Sequence, residues 1–375
     1  MLNRINHIDS MELFIVKLPL VEPFETSFAI ETHKEALLLK ISSEGIDGWG
    51  ECVASPDPYY SSETNETALH IIRAFLLPLI IKMKNFSLQE VLEEFERIRG
   101  HNMAKATVEN ALLDLLARKQ NLPLYELIGG EKKRIMSGIS IGIKKNPDEL
   151  LESIKKALSK QYHRIKIKIR KGREIEPLTR VRENFPDIKL MVDANADYSI
   201  SDIEILKQLD DYDLMMIEQP LEYDDLYFHS LVQKELQTPI CLDESIENLN
   251  DVKTAINLGS CRIINIKQGR VGGILNAKVI QDYCRNNGIK VWSGGMLETG
   301  IGRAFNIHLQ TLPGFLLPGD TSETSRYFQE DIVEPPVALQ TDGFIDVPEG
   351  DGIGVRVIPD RLTRFTAFSE KIEYK

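Results

Sequence analysis

Short apolar runs and stretches of helical period alternate along the chain from about Ser137 to Leu317. The runs, rich in β-branched residues, are Ile139–Ile143, Ile165–Ile169, Lys189–Val192, Leu214–Ile217, Ile240–Leu242, Ile263–Ile266, Ile289–Trp292 and Phe315–Leu317. Each gives way to polar residues and a turn. Between them, Ile203–Leu209, Leu231–Leu236, Val252–Leu258 and Leu275–Arg285 carry apolar residues at helical spacing. Strand–helix units repeated in this way predict an α/β protein whose parallel strands close into a TIM-type barrel. An open doubly wound sheet normally has fewer strands and a glycine-rich turn after the first, and no such turn is visible.

Residues 1–130 follow another pattern. Leu13–Leu18 and Ala36–Ile41 read as strands and Gly45–Gly50 as a turn and a third strand; helical segments follow at Thr64–Ile81, Leu88–Ile98 and Ala104–Lys119. Strands followed by helices predict an α+β domain over 1–130, ahead of a barrel over 131–333. The tail, 334–375, is rich in Pro, Gly and Asp, with Gly343–Val347 and Gly352–Val355 as short extended pieces, and is expected to pack on the first domain.

Composition narrows the function classes. Lys plus Arg total 45 and Asp plus Glu 57, a net charge of −12, which argues against nucleic acid or an anionic membrane as the main partner. Cys52, Cys241, Cys261 and Cys284 are scattered, without the C-x-x-C spacing of a metal or redox motif. The longest apolar stretch, Phe75–Ile81, is interrupted at Pro78 and is far too short to span a membrane. With no signal-peptide pattern in Met1–Ser10, a soluble cytosolic protein is expected.

The charges that close the runs carry the chemistry. Lys168, Asp193, Glu218, Asp243 and Lys267 are separated by 25, 25, 25 and 24 residues, which puts each at the C-terminal end of a consecutive strand. That is the face on which barrel enzymes keep their active sites. In an isolated strand the alternation Lys166-Ile167-Lys168 would mark one solvated face. In a parallel barrel both faces are covered, so these lysines point inward, where an unpaired ammonium is costly. The acids of the next three strands are the available partners. A lone Asp after an apolar run is usually a cap or turn residue. Three carboxylates on successive strands at equal phase instead suit a hard divalent cation, Mg²⁺ or Mn²⁺, with a structural ion-pair network as the alternative.

Lysines flanking such a cation point to removal of a proton α to a carboxylate, because the metal stabilises the charge left behind. A free lysine, with pKa about 10.4, is a poor base at neutral pH, and Lys166 and the metal are expected to lower Lys168 towards roughly 7–8. Lys267, from the opposite side, serves as a second acid–base or as a cation facing the developing charge. Arg270, three residues further on, reads either as an ordinary ion pair or as a group that tunes Lys267. Two readings come from other classes: a class I aldolase, with a Schiff-base lysine and no need of the acids, and a non-catalytic binding barrel.

Together, Lys166-Ile167-Lys168, Asp193-Ala194-Asn195, Glu218-Gln219-Pro220, Asp243-Glu244-Ser245 and Lys267-Gln268-Gly269-Arg270 resemble the enolase superfamily, in its muconate-lactonizing subgroup. Gly294 through Ala304, Pro318-Gly319-Asp320-Thr321 and Asp331 through Pro336 look like the o-succinylbenzoate synthase and N-acylamino acid racemase family of that subgroup. The resemblance covers essentially the whole chain. It implies a modified TIM barrel, (β/α)7β, under an α+β capping domain, with Mg²⁺ bound by Asp193, Glu218 and Asp243. It also implies Lys168 and Lys267 as the acid–base pair, Lys166 assisting, and Asn195 beside the metal-bound carboxylate. Ser140, Gly295 and Met296 would line the other end of the substrate, and the Lys267–Arg270 arrangement is similar to that of members that racemise. Loops at Phe24-Glu25-Thr26-Ser27-Phe28 and at Trp49-Gly50-Glu51 with Tyr59-Tyr60 would fold over the site, although each of these residues also suits an ordinary surface turn.

The implied activity is Mg²⁺-dependent syn dehydration of 2-succinyl-6-hydroxy-2,4-cyclohexadiene-1-carboxylate, a step of menaquinone biosynthesis. Racemisation of N-acylamino acids, N-succinyl ones included, is the alternative or a second activity. Muconate cycloisomerase is disfavoured by the Gly294–Gly300 segment, and dipeptide epimerase by the absence of Asp-x-Asp at Gly319-Asp320-Thr321. The subgroup further implies a homo-oligomer acting on a small carboxylate.

Overall fold

In the computed structural model, which describes residues 4–27 and 29–373, the first apolar alternation becomes a long strand, β1 (Ser10–Glu25). Met11, Leu13 and Ile15 recur on its buried side. It pairs antiparallel with β2 (Ile30–Ser43), and β2 with β3 (Ile46–Cys52). Helix α1 (Asn102–Lys119) packs against this sheet. Gly50 permits the approach: a Cβ there would stand 2.1 Å from the Thr107 carbonyl oxygen. The segment expected as one helix over Thr64–Ile81 is divided into Asn65–Ile71, a π-helical turn at Ile72–Leu76, and Leu77–Ile80. Pro78 lies in the first turn of the last piece, where its missing N–H does least harm.

Seven of the predicted apolar runs form one parallel sheet, neighbours in chain order: β4 (Gly138–Ile141), β5 (Arg164–Lys168), β6 (Leu190–Asp193), β7 (Ile217–Glu218), β8 (Ile240–Leu242), β9 (Ile263–Ile266) and β10 (Lys290–Ser293). Phe315–Leu317, the eighth, is not a strand. Phe315 makes a single bridge to Val291, and Gly319 bridges Ser137. Gly138 N donates to the Gly319 carbonyl at 2.7 Å and Asp320 N to the Ser293 carbonyl at 2.9 Å, so this segment is tied to both edges of the sheet. Pro318, with no amide hydrogen, interrupts any regular ladder here, and Leu316 is turned out to solvent. The barrel therefore closes through an irregular eighth member, in the (β/α)7β form.

Helices follow the strands: α2 (Pro147–Ser159), α3 (Ile175–Asn184), α4 (Ile203–Gln208), α5 (Tyr227–Glu235), α6 (Leu249–Leu258), α7 (Ile274–Asn286) and α8 (Gly300–Gln310). In β5, Ile165 and Ile167 join the apolar core while Arg164, Lys166 and Lys168, of opposite phase, find polar partners inside the barrel. At the end of the chain β11 (Thr366–Glu373) pairs antiparallel with β1 and becomes the edge of the first domain's sheet. Phe344–Asp346 pairs with Arg134–Met136. All four cysteines are free and buried, and among the described residues no helix is long and apolar enough to cross a membrane.

Candidate active site

Parallel register sets the closing charges side by side. Lys168 is level with Asp193 across β5 and β6, and Asp193 is level with Glu218 across β6 and β7. Asp243 and Lys267 come directly after β8 and β9. The loops on this rim are bent tightly, with Asn195 at φ 44° and Gln219 at φ 36°, both in the left-handed region that non-glycine residues avoid.

Asp193, Glu218 and Asp243 are all within 1% of full burial and all paired. Lys166 Nζ lies 3.1 Å from Asp193 Oδ2 and 3.0 Å from Glu218 Oε2. Lys168 Nζ donates to Asp193 Oδ2 at 2.7 Å and to Asn195 Oδ1 at 2.6 Å. Lys267 Nζ donates to Asp243 Oδ2 at 2.8 Å, and the Arg270 guanidinium pairs with Asp243 Oδ1. Tyr60 Oη, from the loop after β3, accepts from Lys267 at 2.9 Å and from Arg270 at 2.8 Å. The three acids thus share one rim, but among the described residues no three His, Cys, Asp or Glu side chains are gathered closely enough to hold a metal ion. Lysine and arginine engage their oxygens instead.

The charges respond accordingly. Burial works to raise Asp243, but Arg270 and Lys267 outweigh it and hold that carboxyl below its ordinary range. Asp193 is likewise held down, Lys168 and Lys166 overcoming burial. Glu218 goes the other way: burial and then the charge of Asp193 push it up to about 8, against the pull of Lys166. Glu244, also buried beside Asp243, is pushed up to about 7. Burial would lower Lys267, yet Asp243 and Tyr60 hold it above its usual value as an ammonium.

Above this rim, one cavity is lined by Lys166, Lys168, Asn195 and Lys267 from the barrel, with Ser140, Gly295 and Met296 further round, and by Phe24, Thr26 and Tyr60 from the first domain. Arg270 lies beneath, behind Tyr60 and Asp243. Of the residues expected in loops over the site, Phe24 and Glu25 instead end strand β1, level with Glu31 and Ile30 of β2, and Phe28 is outside the described residues. Trp49, Gly50 and Glu51 belong to strand β3 rather than to a loop, because Gly50 must meet α1 and Trp49 packs on Phe14. Tyr59 is exposed, and Tyr60 is the residue of that pair turned inward.

Sequence reasoning missed the acid behind Lys166. Asp320, from the irregular eighth segment, bonds Arg164 Nη2 at 2.6 Å and Lys166 Nζ at 2.5 Å, while Arg164 lies over the Trp292 ring. The signal was present: Arg164, Lys166 and Lys168 share one inward phase, and two buried cations with a partly buried third in five residues call for an additional carboxylate. Asn265, whose Nδ2 donates to Glu218 Oε1 at 2.8 Å, carried no comparable signal.

Residues 149–361 match the enolase C-terminal domain-like family, and residues 10–129 match the N-terminal domain family of mandelate racemase and muconate lactonizing enzyme. An o-succinylbenzoate synthase of Geobacillus kaustophilus is 46% identical over 365 residues, 97% of each chain. An N-succinylamino acid racemase of Amycolatopsis is 42% identical over 360 residues, 96% of this chain and 97% of that one. The crystal structure of an enolase superfamily member from Listeria innocua superposes with a TM-score of 0.94 at 42% identity, covering 98% of this chain and 99% of the other. With its capped (β/α)7β barrel and likeness to these relatives over nearly its whole length, the chain belongs to the mandelate racemase and muconate lactonizing subgroup of the enolase superfamily, in the o-succinylbenzoate synthase and N-succinylamino acid racemase family.

Proposed function

We propose that this protein removes a proton α to a carboxylate, as an o-succinylbenzoate synthase that also racemises N-succinylamino acids. The observation that carries the reading is the rim itself: Lys168 and Lys267 stand at the two ends of a row of three carboxylates, and both face the same cavity. Asp193, Glu218 and Asp243 would hold Mg²⁺. Their donor chemistry fits a hard cation, and the upward push on Glu218 from burial and Asp193 marks a concentration of negative charge that a cation relieves. When bound, the ion supplies Lewis-acid chemistry, fixing the substrate carboxylate and stabilising charge that develops on it.

This chain's residues do the rest. Lys168, as the free amine, takes the α-proton and then gives it to the departing hydroxyl, so that water leaves. Lys267, kept as an ammonium by Asp243, opposes the developing charge during dehydration. In racemisation it delivers a proton to the face opposite Lys168, and in the reverse direction, once it has itself lost a proton, it takes one from that face. Asn195 steadies the Lys168 amine through its Oδ1. Ser140 Oγ, buried without a hydrogen-bond partner, is available to the far end of the substrate. Racemisation is supported independently by the Amycolatopsis relative and by the contact of Arg270 with the carboxylate that binds Lys267. Purified protein assayed with the cyclohexadiene carboxylate and with N-succinylamino acids, with Mg²⁺ and with EDTA, tests the reading. Metal-dependent dehydration is expected, with slower or comparable racemisation; turnover of neither substrate overturns it.

A further inference from the structure

The segment between β10 and α8 walls one side of the cavity, with Gly295, Met296, Leu297 and Glu298 all lining it. Leu297 sits at φ 55°, a left-handed conformation that a leucine holds only when its surroundings impose it. The first domain supplies that constraint through two buried charged side chains. Lys34 of β2, 3% exposed, donates from Nζ to the Met296 carbonyl at 3.1 Å. Glu51 of β3, 1% exposed, accepts from Thr299 N at 2.9 Å, Thr299 Oγ at 2.5 Å and Gly302 N at 2.8 Å. It therefore satisfies amides at the start of α8 from another domain. Burial raises the Glu51 carboxyl and Lys34 opposes that rise, so the two charges act on each other as well as on the segment between them. Contacts serving only to join two domains have no need of a cavity residue's carbonyl, yet that is what Lys34 holds.

We propose that Lys34, backed by Glu51, is a positioning residue that fixes the Met296–Leu297 wall and so selects the acyl group the cavity accepts. The choice of substrates for its test rests on the function proposed above. Lys34→Met removes the ammonium and keeps the apolar stem; Lys34→Arg keeps a donor. Amide hydrogen exchange over 294–302 is expected to be about tenfold or more faster in Lys34→Met than in wild type, with the barrel strands unchanged and Lys34→Arg near wild type. With N-succinyl and N-acetyl amino acids, KM should rise about tenfold for the preferred substrate with kcat within about threefold, and the preference between acyl groups should narrow. Unchanged exchange over 294–302 in folded Lys34→Met overturns the proposal. So does an equal fall in kcat for every acyl group with KM unaltered, which is what a purely structural contact gives. If Lys34→Met does not fold, Lys34→Gln takes the same measurements. Should wild type turn over no N-acylamino acid, the racemase part of the proposed function fails while the exchange data still judge Lys34.

Discussion

Asp320→Asn keeps the shape of the eighth barrel segment and removes one charge. In wild type that carboxylate joins Arg164 at 2.6 Å to Lys166 at 2.5 Å, and the two cations are 1% and 3% exposed. Breaking a buried pair from one side costs about 3–5 kcal/mol, because the remaining charge is left uncompensated out of water. Here other contacts soften the loss. Lys166 keeps Glu218 at 3.0 Å and Asp193 at 3.1 Å, and Arg164 keeps the Pro318 carbonyl at 3.1 Å and the Trp292 ring. The expected cost at pH 7 is therefore at the lower end, about 3 kcal/mol, a fall of roughly 150-fold in the ratio of folded to unfolded chain. Urea unfolding followed by the fluorescence of Trp49 and Trp292 measures it.

A pH series supplies a second check. Burial works to raise Asp320, but Arg164 and Lys166 hold its carboxyl below the ordinary range. A depressed folded pKa gives stability that is present above the unfolded value, near 3.9, and is lost as pH falls through the folded one. The gap between wild type and Asp320→Asn should thus narrow in acid. A cost under about 1 kcal/mol at pH 7, the size of an exposed pair, would refute the buried-network reasoning.

Other consequences are equally direct. A Cβ at Gly142 would stand 2.8 Å from the Glu25 carbonyl oxygen, which also accepts from Ile143 N at 3.0 Å, so Gly142→Ala should displace the end of β1, with Phe24, and Thr26 just beyond it. The expected result is a higher KM with about 1–3 kcal/mol of lost stability, read by steady-state kinetics and denaturation. Tyr60→Phe removes the hydroxyl that Lys267 and Arg270 share, and is expected to lower racemisation about tenfold, measured by polarimetry, while the fold is retained. In metal-free protein Glu218, pushed up to about 8 by burial and Asp193, must lose its proton to bind Mg²⁺. Affinity by titration calorimetry should therefore rise with pH up to about 8 with proton release, and Glu218→Gln should abolish that dependence.

The barrel and its rim were legible because strand phase is a local property: a charge closing each apolar run at nearly constant spacing fixes strand, face and end together. The eighth run failed as a strand because Pro318 cannot enter a ladder and Gly319 and Asp320 serve two different edges. Trp49-Gly50-Glu51 was expected in a loop over the site. What makes it a strand is the approach of α1 to Gly50, and Glu51 finds Thr299 almost 250 positions away, a pairing no local pattern reveals. In the sequence Asp320 stands out only as part of the Pro318–Thr321 stretch and for the second acid missing beside it. Its role comes from Arg164 and Lys166 meeting it inside the barrel. The carboxylates' oxygens likewise find ammoniums and a guanidinium, a matter of side-chain geometry that spacing leaves open.

The central claim is that Lys168 and Lys267 work on opposite faces of one α-carbon. Exchange of the α-proton of each enantiomer of an N-succinylamino acid in D₂O, followed by NMR in Lys168→Ala and Lys267→Ala, tests it most directly. Each variant should lose exchange from one enantiomer and keep it from the other, in complementary fashion. Exchange lost from both enantiomers in either variant, or from neither, would contradict it.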